Sequence, residues 1–274
     1  MGRSEGDAHS RTSTATGSGS GSNMASQKRR RTLGNKGALQ TTDGIVGASG
    51  SQSTRSSLFR GDAKGAAARG VREDRLRLAR DEAYDFSKYP YIRSSEDFCR
   101  GVWFNKDKVQ RNQLQWQKGK IRTSLMTLPL KQQSDTAVGM HETILGYCGD
   151  KKIAYPVAKA QELLQKGAEQ PDIRDEIYLQ LCKQLTNNPN ENSRLRAWQL
   201  MLMCLGMFPP SEEFELYLTN FISKHFDVKG PSRSYARFAV MRLDTAMKSG
   251  PSMRVPTVED IDGYRSRPED PTPP

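Results

Sequence analysis

Residues Gln170 to Leu218, QPDIRDEIYLQLCKQLTNNPNENSRLRAWQLMLMCLGMFPPSEEFELYL, hold two helical patterns joined by a polar turn and stopped by a double proline. Pro171 suits a first helical position, where its missing N–H would be unpaired anyway. Asp172, Asp175 and Glu176 put negative charge in the opening turns, where the helix dipole favours it. Ile173, Ile177, Leu181 and Leu185 then recur every four residues, with Tyr178 and Cys182 widening the stripe, while Glu176, Gln180, Lys183 and Gln184 occupy the other side. That spacing predicts one buried and one wet face. Asn187-Asn188-Pro189-Asn190 breaks the pattern as a turn. Leu195, Trp198, Leu202 and Leu205 form the next stripe, and Met201, Met203, Cys204 and Met207 make this second helix apolar nearly all round, which predicts a central position. Pro209-Pro210 ends it. Ser211 is placed to cap a third helix, with Phe214, Tyr217, Leu218, Phe221 and Ile222 inward.

These helices bring no residue set suited to catalysis, which points to a helical binding module. Arg174-Asp175-Glu176-Ile177-Tyr178, Gln180-Leu181-Cys182-Lys183-Gln184, Asn187-Asn188-Pro189, Ala197-Trp198, and Cys204-Leu205 through Phe208-Pro209-Pro210-Ser211 together resemble the myosin-tail-homology-four (MyTH-four) domain of unconventional myosin tails, plant calmodulin-regulated kinesins and some Rho GTPase-activating proteins. The resemblance extends upstream through Phe86-Ser87-Lys88-Tyr89, Leu114, Trp116, Ile121, Ser124, Leu125 and the ILGYCGD run of Ile144 to Asp150, and downstream from Tyr235 to Tyr264. It implies an all-α, compact multi-helix bundle of about eight helices over residues 84–267, a size at which one helical core is well supported. It also implies microtubule or cargo binding, often beside a FERM domain.

Outside that region the composition changes. Gly, Ser, Thr, Ala and Arg dominate from Met1 to Arg69, where Phe59 is the one aromatic residue, so residues 1–80 read as a disordered basic tail with too little apolar surface to offset the entropy of ordering. Those 80 residues hold 15 Lys and Arg against 6 Asp and Glu; the whole chain holds 42 against 31. The positive charge therefore belongs chiefly to the tail, which polyanions such as microtubule surfaces, nucleic acid and acidic lipid headgroups attract. Residues 268–274, PEDPTPP, read as a second, proline-rich tail.

Between these regions, VREDRLRLARDEA from Val71 to Ala83 has the spacing of a short exposed helix, and Phe98, Val102, Trp103 and Phe104 form an aromatic cluster expected to pack on the domain. Ser134 is placed to cap a helix through Ala137, Val138, His141, Ile144 and Leu145, which Gly146 and Gly149 weaken or terminate. Further helices are expected over 157–166, from Tyr235 to a stop at Gly250-Pro251, and after Pro256-Thr257.

The chemistry-bearing residues do not assemble into a catalytic signature. His141-Glu142 opens an HExxH motif, but Leu145 stands where the second histidine is required. The GSGSGS run of Gly17 to Ser22 lacks the GK[ST] of a phosphate loop. The cysteines Cys99, Cys148, Cys182 and Cys204 have no CxxC spacing and read as buried thiols in a reducing, intracellular setting; the family resemblance implies a cytoplasmic, cytoskeleton-associated location. Met201, Met203 and Met207 read as core filling. No cofactor, metal or small-molecule substrate is expected, and there is no run of eighteen apolar residues.

Two basic groups are candidate contacts. Lys151, Lys152, Lys159 and Lys166 lie on or just before one helix, with Lys159 and Lys166 seven apart and hence on one face, suited to acidic tubulin or another partner. Lys28, Arg29, Arg30 and Arg31 are a candidate tail contact for an anionic surface or a nuclear localisation signal, and phosphorylation of Thr32 would weaken such a contact. Either group also reads as solvated exterior. The expected function is a non-catalytic cytoskeletal interaction module binding microtubules or motor cargo. One alternative is a fragment of a larger motor or Rho GTPase-activating protein whose catalytic domain lies elsewhere. Another is a nucleic-acid-binding arm, which no aromatic interleaving supports.

Overall fold

The computed structural model describes residues 73–252 and 254–274. The readings made for residues 1–72, including the cluster of Lys28, Arg29, Arg30 and Arg31, lie outside the described residues. Those described form ten α-helices: α1 (73–79), α2 (Ser95–Phe98), α3 (Lys106–Arg111), α4 (Lys131–Cys148), α5 (Pro156–Glu169), α6 (Arg174–Leu185), α7 (Glu191–Met207), α8 (Glu212–Ser223), α9 (Pro231–Ser249) and α10 (Val258–Arg265). Among the described residues there is no strand, only an isolated antiparallel bridge between Ile92 and Met126.

Helix α7 is the axis of the bundle, and α4, α5, α6, α9 and α10 all pack against it. Its stripe and its methionines are buried, Trp198, Leu202 and Met201 completely, as the all-round apolar sequence predicts. Each such side chain contributes about 1.5–3 kcal/mol of burial free energy. The start of α7 is set by Asn190, whose side chain accepts from the Ser193 N–H, and Phe208 stands in extended conformation at its end, before Pro209-Pro210. Ser211 caps α8 by accepting from the Phe214 N–H, and is itself held by Asp175, which accepts from its N–H at 2.8 Å and its hydroxyl at 2.6 Å. Thr257 opens α10 with a capping box to Asp260.

Helix α6 departs from expectation. Pro171–Ile173 is a 3-10 turn and the α-helix begins at Arg174. The face expected to be wet is buried: Glu176, Gln180, Lys183 and Gln184 are all at most 1% exposed. The reason lies upstream, where the irregular chain between α3 and α4 wraps over that face and brings its backbone polar groups with it. Glu176 accepts from the Leu125 and Met126 N–H groups at 2.9 and 2.8 Å and from Gln180 Nε2 at 2.7 Å. The Lys183 ammonium donates to the carbonyls of Asn112 and Gln115 and to Gln117 Oε1. Buried polar side chains here satisfy a loop that would otherwise be buried with unpaired groups.

A second polar knot joins that loop to the helices. Asp150, just after the αL residue Gly149 that ends α4, accepts from Trp116 Nε1 at 2.8 Å, from Ser193 Oγ at 2.8 Å and from Gln184 Nε2. The upstream Trp116 and the Ile144 to Asp150 run thus meet the central helix pair in one cluster.

Three more expectations are corrected. Helix α4 starts at Lys131, so Ser134 lies inside it; its hydroxyl instead accepts from the Ser124 N–H at 3.2 Å and pairs with Thr123. Helix α5 runs past Gly167, whose missing Cβ leaves room for the Phe208 ring; a Cβ there would lie 2.3 Å from it. In the aromatic cluster Phe98 is buried, but Trp103 and Phe104 are 90% and 86% exposed. Cys99, Cys148, Cys182 and Cys204 are free and buried.

Candidate functional site

The four lysines singled out in the sequence lie on the exposed side of the α4 and α5 pair, where they divide into two groups. α5 begins at Pro156, whose fixed φ suits a first helical turn, and directs Ala160, Leu163, Leu164 and Gly167 into the core. That leaves Lys159, Glu162, Gln165 and Lys166 exposed on the opposite side. Lys159 and Lys166 line one shallow groove together with Thr136, Gly139, Thr143 and Glu162, so the seven-residue spacing does place them together. Met140 and Leu163, both buried, lie beneath the groove, and the surface it presents is mainly polar.

Lys151 and Lys152 lie in the connection between α4 and α5. Lys152 is exposed, whereas Lys151 is ion-paired with Glu142 of α4. Glu142 also faces Lys120 at 3.5 Å, and its carboxyl is held below the usual glutamate range, first by the hydrogen bond from Lys151. These pairs are about a third to a half exposed, a setting in which ion pairs contribute little stability. Their effect is to fix where positive charge is presented. Lys120 belongs to a basic stretch that the sequence reading passed over: Lys118, Lys120 and Arg122 are exposed, and Lys120 reaches Glu142 of α4 because Ile121 and Ser124, between and beyond them, are buried against that helix. The signal was the run KGKIR itself, with an apolar residue available to anchor it.

Two buried titratable groups beneath this surface hold backbone. His141 is buried, its pKa pushed down to about 3 chiefly by desolvation and secondarily by Lys183, and its Nδ1 accepts from the Ile121 N–H at 3.4 Å. Burial brings Lys183 down to about 7. Both are covered by backbone they hold in place. Among the described residues no group of three or more His, Cys, Asp or Glu side chains could hold a metal ion, and no helix is long and apolar enough to cross a membrane.

Comparison with known proteins bears on this helical scaffold. Residues 160–263, from within α5 into α10, match the family described as the MyTH4 domain. The chain is 38% identical over 138 residues to the high molecular weight form of myosin-1 of Acanthamoeba castellanii, covering 50% of this chain and 9% of that protein. It is 30% identical over 164 residues to the kinesin-like protein KIN-14I of Oryza sativa subsp. japonica, covering 55% of this chain and 13% of that protein. Among solved structures, the MyTH4-FERM MF1 domain of Dictyostelium discoideum myosin VII superposes with a TM-score of 0.51 at 25% identity, covering 56% of this chain and 32% of that one. The chain therefore spans a small fraction of the length of these curated relatives. The family resemblance read from the helix motifs is to the MyTH4 domain, and its relatives include both myosins and a plant kinesin.

Proposed function

We propose, from a scaffold that matches the MyTH4 domain, that this chain is a non-catalytic cytoskeletal interaction module that engages microtubules or motor cargo through the exposed α4 and α5 surface. The observation that carries this reading is the groove in which Lys159 and Lys166 stand together on a helix whose other side is locked into the core. A lysine pair held on a rigid helix meets an acidic partner without first having to be ordered, and gives binding that salt screens. Lys152, Lys151 and Lys120 extend the same positive surface, and Lys28, Arg29, Arg30 and Arg31 supply a second, sequence-local attraction.

Microtubule co-sedimentation of the full chain at low and physiological salt tests it. Lys159→Glu with Lys166→Glu should weaken binding about tenfold at low salt, and the wild-type affinity should fall as salt rises. Binding indifferent to salt and to the double substitution removes the electrostatic reading. No sedimentation with microtubules under either condition leaves cargo as the partner class. The small share of each relative that the chain covers favours a second proposal, that the same module serves a longer motor protein whose catalysis lies elsewhere.

A further inference from the structure

The loop between α2 and α3 carries two large aromatic side chains in water. Trp103 is 90% exposed and Phe104 86%, the highest values of any large apolar residue among those described. Neither end of the loop is loose. Phe98 and Cys99 are buried before it, Val109 packs against the core after it, and the Val102 N–H donates to the Cys99 carbonyl at 3.0 Å. Gly101 and Asn105, on either side of the aromatics, are both in the left-handed region, with φ of +74° and +57°. The chain thus turns out, presents Trp103-Phe104, and turns back.

Scattered exposed apolar residues are ordinary on a protein surface, but adjacent Trp and Phe side chains at the tip of a doubly anchored loop form a projecting apolar point. The charge around it has one dominant sign. From residue 100 to residue 111 the cations are Arg100, Lys106, Lys108 and Arg111, all exposed, and Asp107 is the single anion. Arg100 pairs with Asp97 on α2, next to the exposed Glu96, whereas Lys106, Lys108 and Arg111 form no ion pair among the described residues.

We propose that this loop inserts Trp103 and Phe104 into the interfacial region of an anionic lipid bilayer, with Lys106, Lys108 and Arg111 resting on the headgroup phosphates. Aromatic side chains partition to the boundary between headgroups and acyl chains, and neighbouring cations add attraction to acidic lipid. A purely acidic protein surface would satisfy the cations but give the Trp-Phe tip nothing to enter. This surface is distinct from the α4 and α5 groove and goes beyond the cytoskeletal role proposed for it.

The test uses the full chain with brominated-acyl phosphatidylcholine vesicles, with and without phosphatidylserine. The basic residues 1–80 can hold the chain to anionic vesicles by charge alone, so tryptophan quenching decides the outcome rather than sedimentation. Trp198 is buried and Trp116 partly so, leaving Trp103 as the indole able to reach bromine. Quenching and a blue shift on serine-containing vesicles are expected. Phe104→Ala, with Trp103 kept as the reporter, should reduce both, while its thermal midpoint matches wild type because the residue is not in the core. Lys106→Glu with Lys108→Glu should reduce quenching with both aromatics intact. The proposal is overturned by absent quenching on bound vesicles, by wild-type quenching in the Phe104→Ala variant, or if the aromatics prove to be needed for tubulin binding or self-association instead.

Discussion

Glu176 shows most clearly how individual residues hold this protein together. Its carboxylate is fully buried, which raises its pKa, and it is offset by two backbone N–H donors and one amide. Glu176→Ala leaves the Leu125 and Met126 N–H groups without a partner and opens a void, so a loss of about 3–5 kcal/mol is expected in urea unfolding. A loss under about 1 kcal/mol would show that the loop at residues 124–126 finds other partners. His141 adds a pH dependence. Its folded pKa, about 3, lies below the unfolded value of 6.5, so between those limits the unfolded chain binds the extra proton. Its contribution is complete above about pH 6.5 and is lost as pH falls toward 3, amounting to about 2 kcal/mol between pH 7 and pH 5. His141→Gln keeps an acceptor for the Ile121 N–H, and its stability should fall less than wild type over that interval; parallel curves would assign the acid sensitivity to other groups.

At the level of elements, what the sequence revealed depended on what each helix touches. The ends of α7, α8, α9 and α10 could be read because caps and stops are local chemistry: Asn190, Ser211, Gly250 and Thr257 act within a few residues of themselves. The polar side of α6 could not. Glu176, Gln180, Lys183 and Gln184 have the spacing of a solvated face, and only the distant segment 112–126 turns that face inward. Trp103 and Phe104 err in the opposite direction, since apolar character does not say whether a loop folds back or projects. The lysine pair on α5 was legible from its spacing, while Lys120 joins the surface through a contact 22 residues away in sequence. Two glycines of α4 and its cap separate backbone demand from helix propensity. A Cβ at Gly139 meets nothing within 4 Å, so Gly139→Ala should stabilise by about 0.5–1 kcal/mol. Gly149 has φ +88° and the Arg196 guanidinium 2.8 Å from a Cβ position, so Gly149→Ala should destabilise by about 1–2 kcal/mol. Thermal melts of the two variants should move in opposite directions.

At the scale of the whole described region, one apolar core runs from Tyr89 through the central helices to Tyr264. The later segments are strapped to it: Arg265 Nε donates to the Tyr147 carbonyl at 2.9 Å, and the Tyr235 hydroxyl shares its one proton between the carbonyls of Pro268 and Asp270, 3.0 and 2.9 Å away. With no division in that core, near- and far-ultraviolet circular dichroism should report a single coincident unfolding transition. Two separate transitions would mean that the wrap over α6 opens independently. The buried cysteines turn this cooperativity into a clock. Cys148, Cys182 and Cys204 have thiols that burial keeps protonated, and all four cysteines are shielded from solvent. An alkylating reagent in native buffer can therefore modify Cys148, Cys182 and Cys204 only during excursions that expose them, and their labelling rates record how often each region of the bundle opens.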